Sequence, residues 1–112
     1  MAPESTERRR YPRYSCDIGV QVRAAESTGG CWGTLADISL GGCYVYTFSP
    51  LVKGSALSVA MKTGETELIF TGTVVTFHPG VGMGIEFSGF FDGDGESRLK
   101  AFIASLESQA RK

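Results

Sequence analysis

The sequence predicts a mainly β fold: a six-stranded antiparallel barrel with one C-terminal α-helix. Three observations point there. Glycine makes up 15 of the 112 residues and recurs at short intervals, as in short strands joined by tight turns. The runs between these glycines are rich in Val, Thr, Phe and Tyr and keep no helical period. Only the last segment switches to a 3.6-residue repeat.

Residues 1–7 offer nothing to bury and read as a flexible tail. The basic segment 8–14 follows, where Pro12 biases Tyr11 toward extended backbone. Over 16–24, Ile18, Val20, Val22 and Ala24 alternate with Gly19, Gln21 and Arg23, the pattern of a half-buried strand. A Ser27-Thr28-Gly29-Gly30 turn leads to a second strand over 31–38, and Gly41-Gly42 separates it from a third over 43–48. Trp32, within the second strand, reads as a packed barrel residue rather than a stacking platform. The fourth and fifth strands, 56–62 and 68–77, flank Thr63-Gly64-Glu65. His78-Pro79-Gly80 leads to the sixth, 83–87, so the barrel is expected over 16–88. Leu99, Phe102, Ile103 and Leu106 then form one apolar stripe on a helix expected over 95–110. Asp94 suits its N-cap, Glu96 its first turn, and Arg111-Lys112 the negative end of its dipole.

A chain of this length holds one domain with a single core. No run approaches the ~20 apolar residues needed to span a bilayer, and residues 1–7 lack the apolar centre of a signal peptide. Three cysteines without a Cys-x-x-Cys pair fit reduced thiols better than a disulfide framework or zinc site. The expected location is therefore the cytoplasm, without membrane insertion. A net charge of −1 argues against a binder of nucleic acid polymers.

Catalytic readings fail on residue inventory. There is one histidine, His78, beside a Pro-Gly turn where exposure is the default, and no Gly-x-Ser-x-Gly elbow. Gly80-Val81-Gly82-Met83-Gly84 mimics part of a dinucleotide fingerprint, but a strand follows it. Gly82 and Gly84 instead mark a close approach of backbone or ligand. Asp92-Gly93-Asp94-Gly95-Glu96 opens like a calcium loop, yet Ile103 stands where the bidentate acid belongs. No enzyme activity, metal or cofactor is expected.

Two segments carry binding chemistry. Four arginines fall within residues 8–13, immediately before the first strand. Arg9 and Arg13 are separated by roughly 13 Å if extended, suited to different groups of one sizeable ligand. The guanidinium fork matches both phosphate oxygens and the O6/N7 edge of guanine. The second segment, Asp37-Ile38-Ser39-Leu40-Gly41-Gly42, is a polar turn in which the paired glycines supply positive φ. It also has ligand chemistry. Asp37 can accept from guanine N1–H and its exocyclic amine, Ser39 can donate to phosphate or orient the turn, and Gly42 leaves room.

Arg-Arg-x-x-x-Arg (Arg8, Arg9, Arg13) followed by Asp-x-Ser-x-x-Gly (Asp37, Ser39, Gly42) resembles the PilZ domain family, and Val-Gly-Met-Gly-Ile-Glu-Phe at 81–87 is similar to its closing strand. The resemblance runs from about residue 7 to residue 106, with no departure at a signature position. It implies a PilZ-type barrel that binds the bacterial second messenger cyclic di-GMP. Arg9 and Arg13 would clamp guanine edges and phosphates, with Asp37, Ser39 and Gly42 opposite. Arg8 would favour an intercalated ligand dimer, and no role is assigned to Arg10. Ligand binding would order the arm at 8–14, and an unidentified protein partner would read the result. Two alternatives stand beside this one. The first is a PilZ-like protein-interaction module that binds no nucleotide. The second is a single-strand binder using Tyr and Arg, which the near-zero charge disfavours.

Overall fold

The computed structural model of the chain describes residues 12–25, 30–63, 66–91 and 93–110. Six strands appear in order: β1 (Tyr14–Ala24), β2 (Gly30–Ile38), β3 (Gly42–Tyr46), β4 (Ala56–Thr63), β5 (Thr66–His78) and β6 (Gly82–Phe90). One helix, α1 (Gly95–Ala110), follows. All pairings are antiparallel, and the strands close into a barrel in the order β1-β2-β3-β6-β5-β4. Closure comes from β1 pairing with β4, from Val20↔Met61 to Ala24↔Leu57. Closing the ring pairs strands as long as β5, 13 residues, on both sides instead of leaving one as an exposed edge.

The strand alternation decides the interior. Val20, Val22, Leu35, Val45, Val59, Phe70, Val74 and Met83 are all buried there. The helical stripe behaves as its spacing requires: Leu99 and Ile103 are buried, while Phe102 and Leu106 pack against the core from its margin. Helix α1 lies on β1 and β5. The first intrahelical bond runs from the Arg98 amide to the Asp94 carbonyl at 3.0 Å, which places Asp94 at the N-cap. Arg111 and Lys112 lie outside the described residues. Among the described residues, no helix is long and apolar enough to cross a membrane.

Two expectations need correction. The third strand ends at Tyr46: the Thr47 amide still donates in register to the Val81 carbonyl at 2.9 Å, but the Val81 amide turns to the His78 carbonyl at 3.0 Å, and Phe48 beyond is 92% exposed. Trp32 is not packed inside the barrel; it is 72% exposed. Strand parity explains this. Leu35 faces inward, so Gly33 and Cys31 share its face, and Trp32 pairs with Gln21 on the outer one. The apolar character of indole does not override that two-residue period.

Candidate ligand-binding site

Arg13 and Asp37 meet because the barrel carries local irregularities beside them. Tyr14 pairs with Ile38 and Ser15 with Asp37, and the β1–β2 register then shifts before Ile18↔Leu35. A second shift separates Leu35↔Val45 from Asp37↔Tyr44 in the β2–β3 ladder. Strict alternation from inward-facing Leu35 would aim Asp37 into the core. The extra residue reverses parity, so Ile38 is buried and Asp37 faces out. There Asp37 Oδ1 accepts from Arg13 Nη1 at 2.9 Å, with 31% and 45% of the two side chains exposed. The pair is open to solvent on one side.

Ser39 and Gly42 do something different. Ser39 is buried; its Oγ accepts from the Gly41 and Gly42 amides at 3.1 and 3.2 Å and donates to the Gly42 carbonyl at 3.3 Å. The Ser39 amide also donates to that carbonyl at 2.8 Å. Of its two expected roles, the structure shows Ser39 orienting the turn. The paired glycines do not supply positive φ: among the described residues only Gly54 and Gly80 adopt it. Gly42 is required for another reason. A Cβ there would run into the Ile85 carbonyl oxygen, because Gly42 pairs with Glu86 across the β3–β6 ladder. The space beside Gly42 is therefore filled by backbone.

The outer face beyond Asp37 carries residues the sequence reading did not assemble. Tyr44 is the cross-strand partner of Asp37 on one side and of Gly84 on the other. Its ring crosses β6: a Cβ on Gly82 would stand 2.8 Å from the Tyr44 ring edge, and one on Gly84 would stand 3.7 Å from it. The close approach at Gly82 is thus made by the Val45 carbonyl oxygen together with the Tyr44 ring, and the nearest neighbour of Gly84 is the Thr76 side chain. At the far side of β6, the Tyr44 hydroxyl meets His78 Nδ1 at 2.7 Å. His78 is exposed, as expected of its position, but it ends β5 and holds Tyr44. Burial, then the neighbouring Tyr46 hydroxyl and the Asp37 carboxylate, push the Tyr44 phenol pKa up. The alternation Tyr44/Val45/Tyr46 opposite Gly84/Met83/Gly82 was the available signal: large side chains facing missing ones.

Farther from Asp37, Tyr46 makes an edge-on contact with Tyr44, ring centres 5.5 Å apart. Trp32, Tyr46, Phe48 and Val81 border a groove of about 350 Å³ without a charged residue in its lining. Beneath the turn, Cys43 is buried and Cys16 half-buried. Burial, then Asp37 and Asp17, push the Cys16 thiol up to about 11, so it is not an activated nucleophile.

The PilZ domain model matches residues 7–105. The chain belongs to the PilZ domain family. Solved PilZ structures share its fold. The PilZ domain of CeSA from a cellulose-synthesizing bacterium is 22% identical with a TM-score of 0.66, over 85% of this chain and 97% of that one. The PilZ domain of YcgR from Escherichia coli, solved with c-di-GMP, is 23% identical with a TM-score of 0.70, over 93% and 95%. The apo structure of K. pneumonia MrkH is 20% identical with a TM-score of 0.71; 92% of this chain covers 52% of that longer one. No curated protein matched by sequence. Within the PilZ signature of this chain, Arg13, Asp37, Ser39 and Gly42 gather at one end of β1, β2 and β3. Arg8, Arg9 and Arg10, and the arm as far as residue 11, lie outside the described residues.

Proposed function

We propose that the chain is a non-catalytic bacterial receptor for cyclic di-GMP, acting in the cytoplasm. Arg8, Arg9 and Arg13 would engage the ligand from the arm, and Asp37 would read guanine from the barrel. Ser39 and Gly42 contribute by shaping the turn that carries Asp37. Arm ordering on binding would present an altered surface to a protein partner.

The observation carrying this reading is the exposed Arg13–Asp37 pair on the turn built by Ser39 and Gly42. The pair combines a guanidinium for phosphate or the guanine O6/N7 edge with a carboxylate for the N1–H and amine edge. Such an exposed pair contributes about 0–1 kcal/mol, so an anionic ligand can displace it at small cost. Family membership and the likeness to a c-di-GMP-bound domain support the same reading.

Calorimetric titration with cyclic di-GMP, beside linear and adenine analogues, tests it. Arg9→Ala or Arg13→Ala should weaken binding at least about ten-fold, the loss of one charge-assisted contact. Asp37→Ala should reduce discrimination between guanine and adenine ligands. If Arg8 sets a ligand dimer, the ratio should fall from two ligands per chain toward one in Arg8→Leu. Unchanged affinity in all the arginine variants would refute the clamp. A protein-interaction module is the second reading, favoured by the exposed groove at Trp32, Tyr46 and Phe48. It predicts no heat with cyclic di-GMP at any usable concentration.

A further inference from the structure

We propose that Tyr44 is a stacking platform for one guanine base of the ligand, set beside Asp37, packed over Gly82 and tied to His78. The proposal rests on the receptor reading above and adds a residue outside the Arg and Asp-x-Ser-x-x-Gly signatures.

Three features of the outer face carry it. Directly opposed residues on adjacent strands project on the same side with Cβ atoms roughly 5 Å apart, and Tyr44 stands opposite Asp37 in this way. A planar base whose hydrogen-bonding edge meets the Asp37 carboxylate can therefore extend over the Tyr44 ring, the aromatic one of its two cross-strand neighbours. Next, the missing side chain of Gly82 lets the Tyr44 ring lie over β6, where it stays half-buried on the outer face. Finally, the Tyr44 hydroxyl is tied to His78 Nδ1 at 2.7 Å, and the Tyr46 ring meets Tyr44 edge-on at 75°. A ring restrained at both ends loses little freedom when a base lands on it. The barrel interior does not require this ring: Cys43 and Val45, on either side of Tyr44, supply the core contacts of β3. An aromatic residue held on an exposed face next to a carboxylate matches the needs of a nucleobase, which has one flat face and one donor edge.

The test is titration of the whole chain with cyclic di-GMP for wild type, Tyr44→Leu, Tyr44→Phe and His78→Ala. Tyr44→Leu should bind at least about five-fold more weakly, the low end of what one base–aromatic stack contributes. Tyr44→Phe, which keeps the ring and loses the His78 tie, should stay within about two- to three-fold. His78→Ala should fall between them. Ring protons of Tyr44 should shift upfield on ligand addition in NMR spectra of tyrosine-labelled protein, a ring-current effect that a purely structural role would not produce. Unchanged circular dichroism and melting confirm that the variants fold. Tyr44→Leu binding as tightly as wild type overturns the platform and leaves the receptor reading intact, as does Tyr44→Phe as weak as Tyr44→Leu. A wild-type chain that binds no cyclic di-GMP overturns both.

Discussion

Replacing Gly42 with alanine separates a folding requirement from a ligand requirement. A Cβ at Gly42 would meet the Ile85 carbonyl oxygen and stand 3.4 Å from both Glu86 Cα and the Ile85 carbonyl carbon. All three are backbone atoms of β6, the strand paired with Gly42, so no side-chain rotation relieves the contact. Overpacking of this kind costs about 1–3 kcal/mol. Gly19 supplies the control: it too lies in a strand without positive φ, and a Cβ there meets nothing within 4 Å. Gly19→Ala should stabilise by about 0.4–1 kcal/mol, because alanine has fewer unfolded conformations to lose. A domain of this size shifts by roughly 4–8 °C per kcal/mol. Gly42→Ala should therefore melt roughly 4–24 °C below wild type, while Gly19→Ala melts about 2–8 °C above it. Far-UV circular dichroism without ligand, by heat and by urea, is the assay, since any ligand role is silent there. A Gly42→Ala chain that melts with wild type would refute the packing account, and an equal fall in Gly19→Ala would show that the loss is generic to glycine replacement.

Leu99→Ala removes a side chain that is 1% exposed and ties α1 to the barrel, and should cost about 2–5 kcal/mol in urea unfolding. Arg13→Ala without ligand should change stability by no more than about 1 kcal/mol, because its ion pair is exposed; a larger fall would assign Arg13 to the fold. Cys16 should react slowly with iodoacetamide at pH 8, accelerating only as pH approaches its raised value of about 11. The linked effect on stability has a definite sign. The unfolded thiol ionises near its ordinary 9.0 while folded Cys16 holds its proton to about 11, so stability present below pH 9 is lost as pH rises through that window. Cys16→Ser should reduce this alkaline loss, with buried Cys43 responsible for part of what remains.

Parity and period carried most of the fold. Val20, Val22 and Leu35 face inward because a strand alternates, and Leu99 and Ile103 because a helix repeats. Trp32 obeys the same alternation and faces out, apolar as its side chain is. The site was legible in outline only. Which way Asp37 points depends on the register shifts in β1 and β2, and no local residue pattern announces an extra residue between Leu35 and Asp37. Tyr44 and His78, thirty-four positions apart, meet only because β3 pairs with β6, a non-consecutive neighbour.

The structure also changes what an intact Asp-x-Ser-x-x-Gly signature implies. Ser39 spends its hydroxyl on the turn's own amides and carbonyl, and Gly42 is held to glycine by the Ile85 carbonyl. In this barrel those two residues shape the passage from β2 into β3 through contacts made within the chain itself. Their presence therefore cannot distinguish a receptor from an interaction module. Asp37 and Arg13 are the residues on which a ligand test turns, since an outward carboxylate against a guanidinium contributes at most about 1 kcal/mol to folding. The weight of the functional reading falls on the side chains the fold can spare. For the same reason, Arg13, Asp37 and Tyr44 are where substitutions should change ligand affinity while leaving the barrel standing.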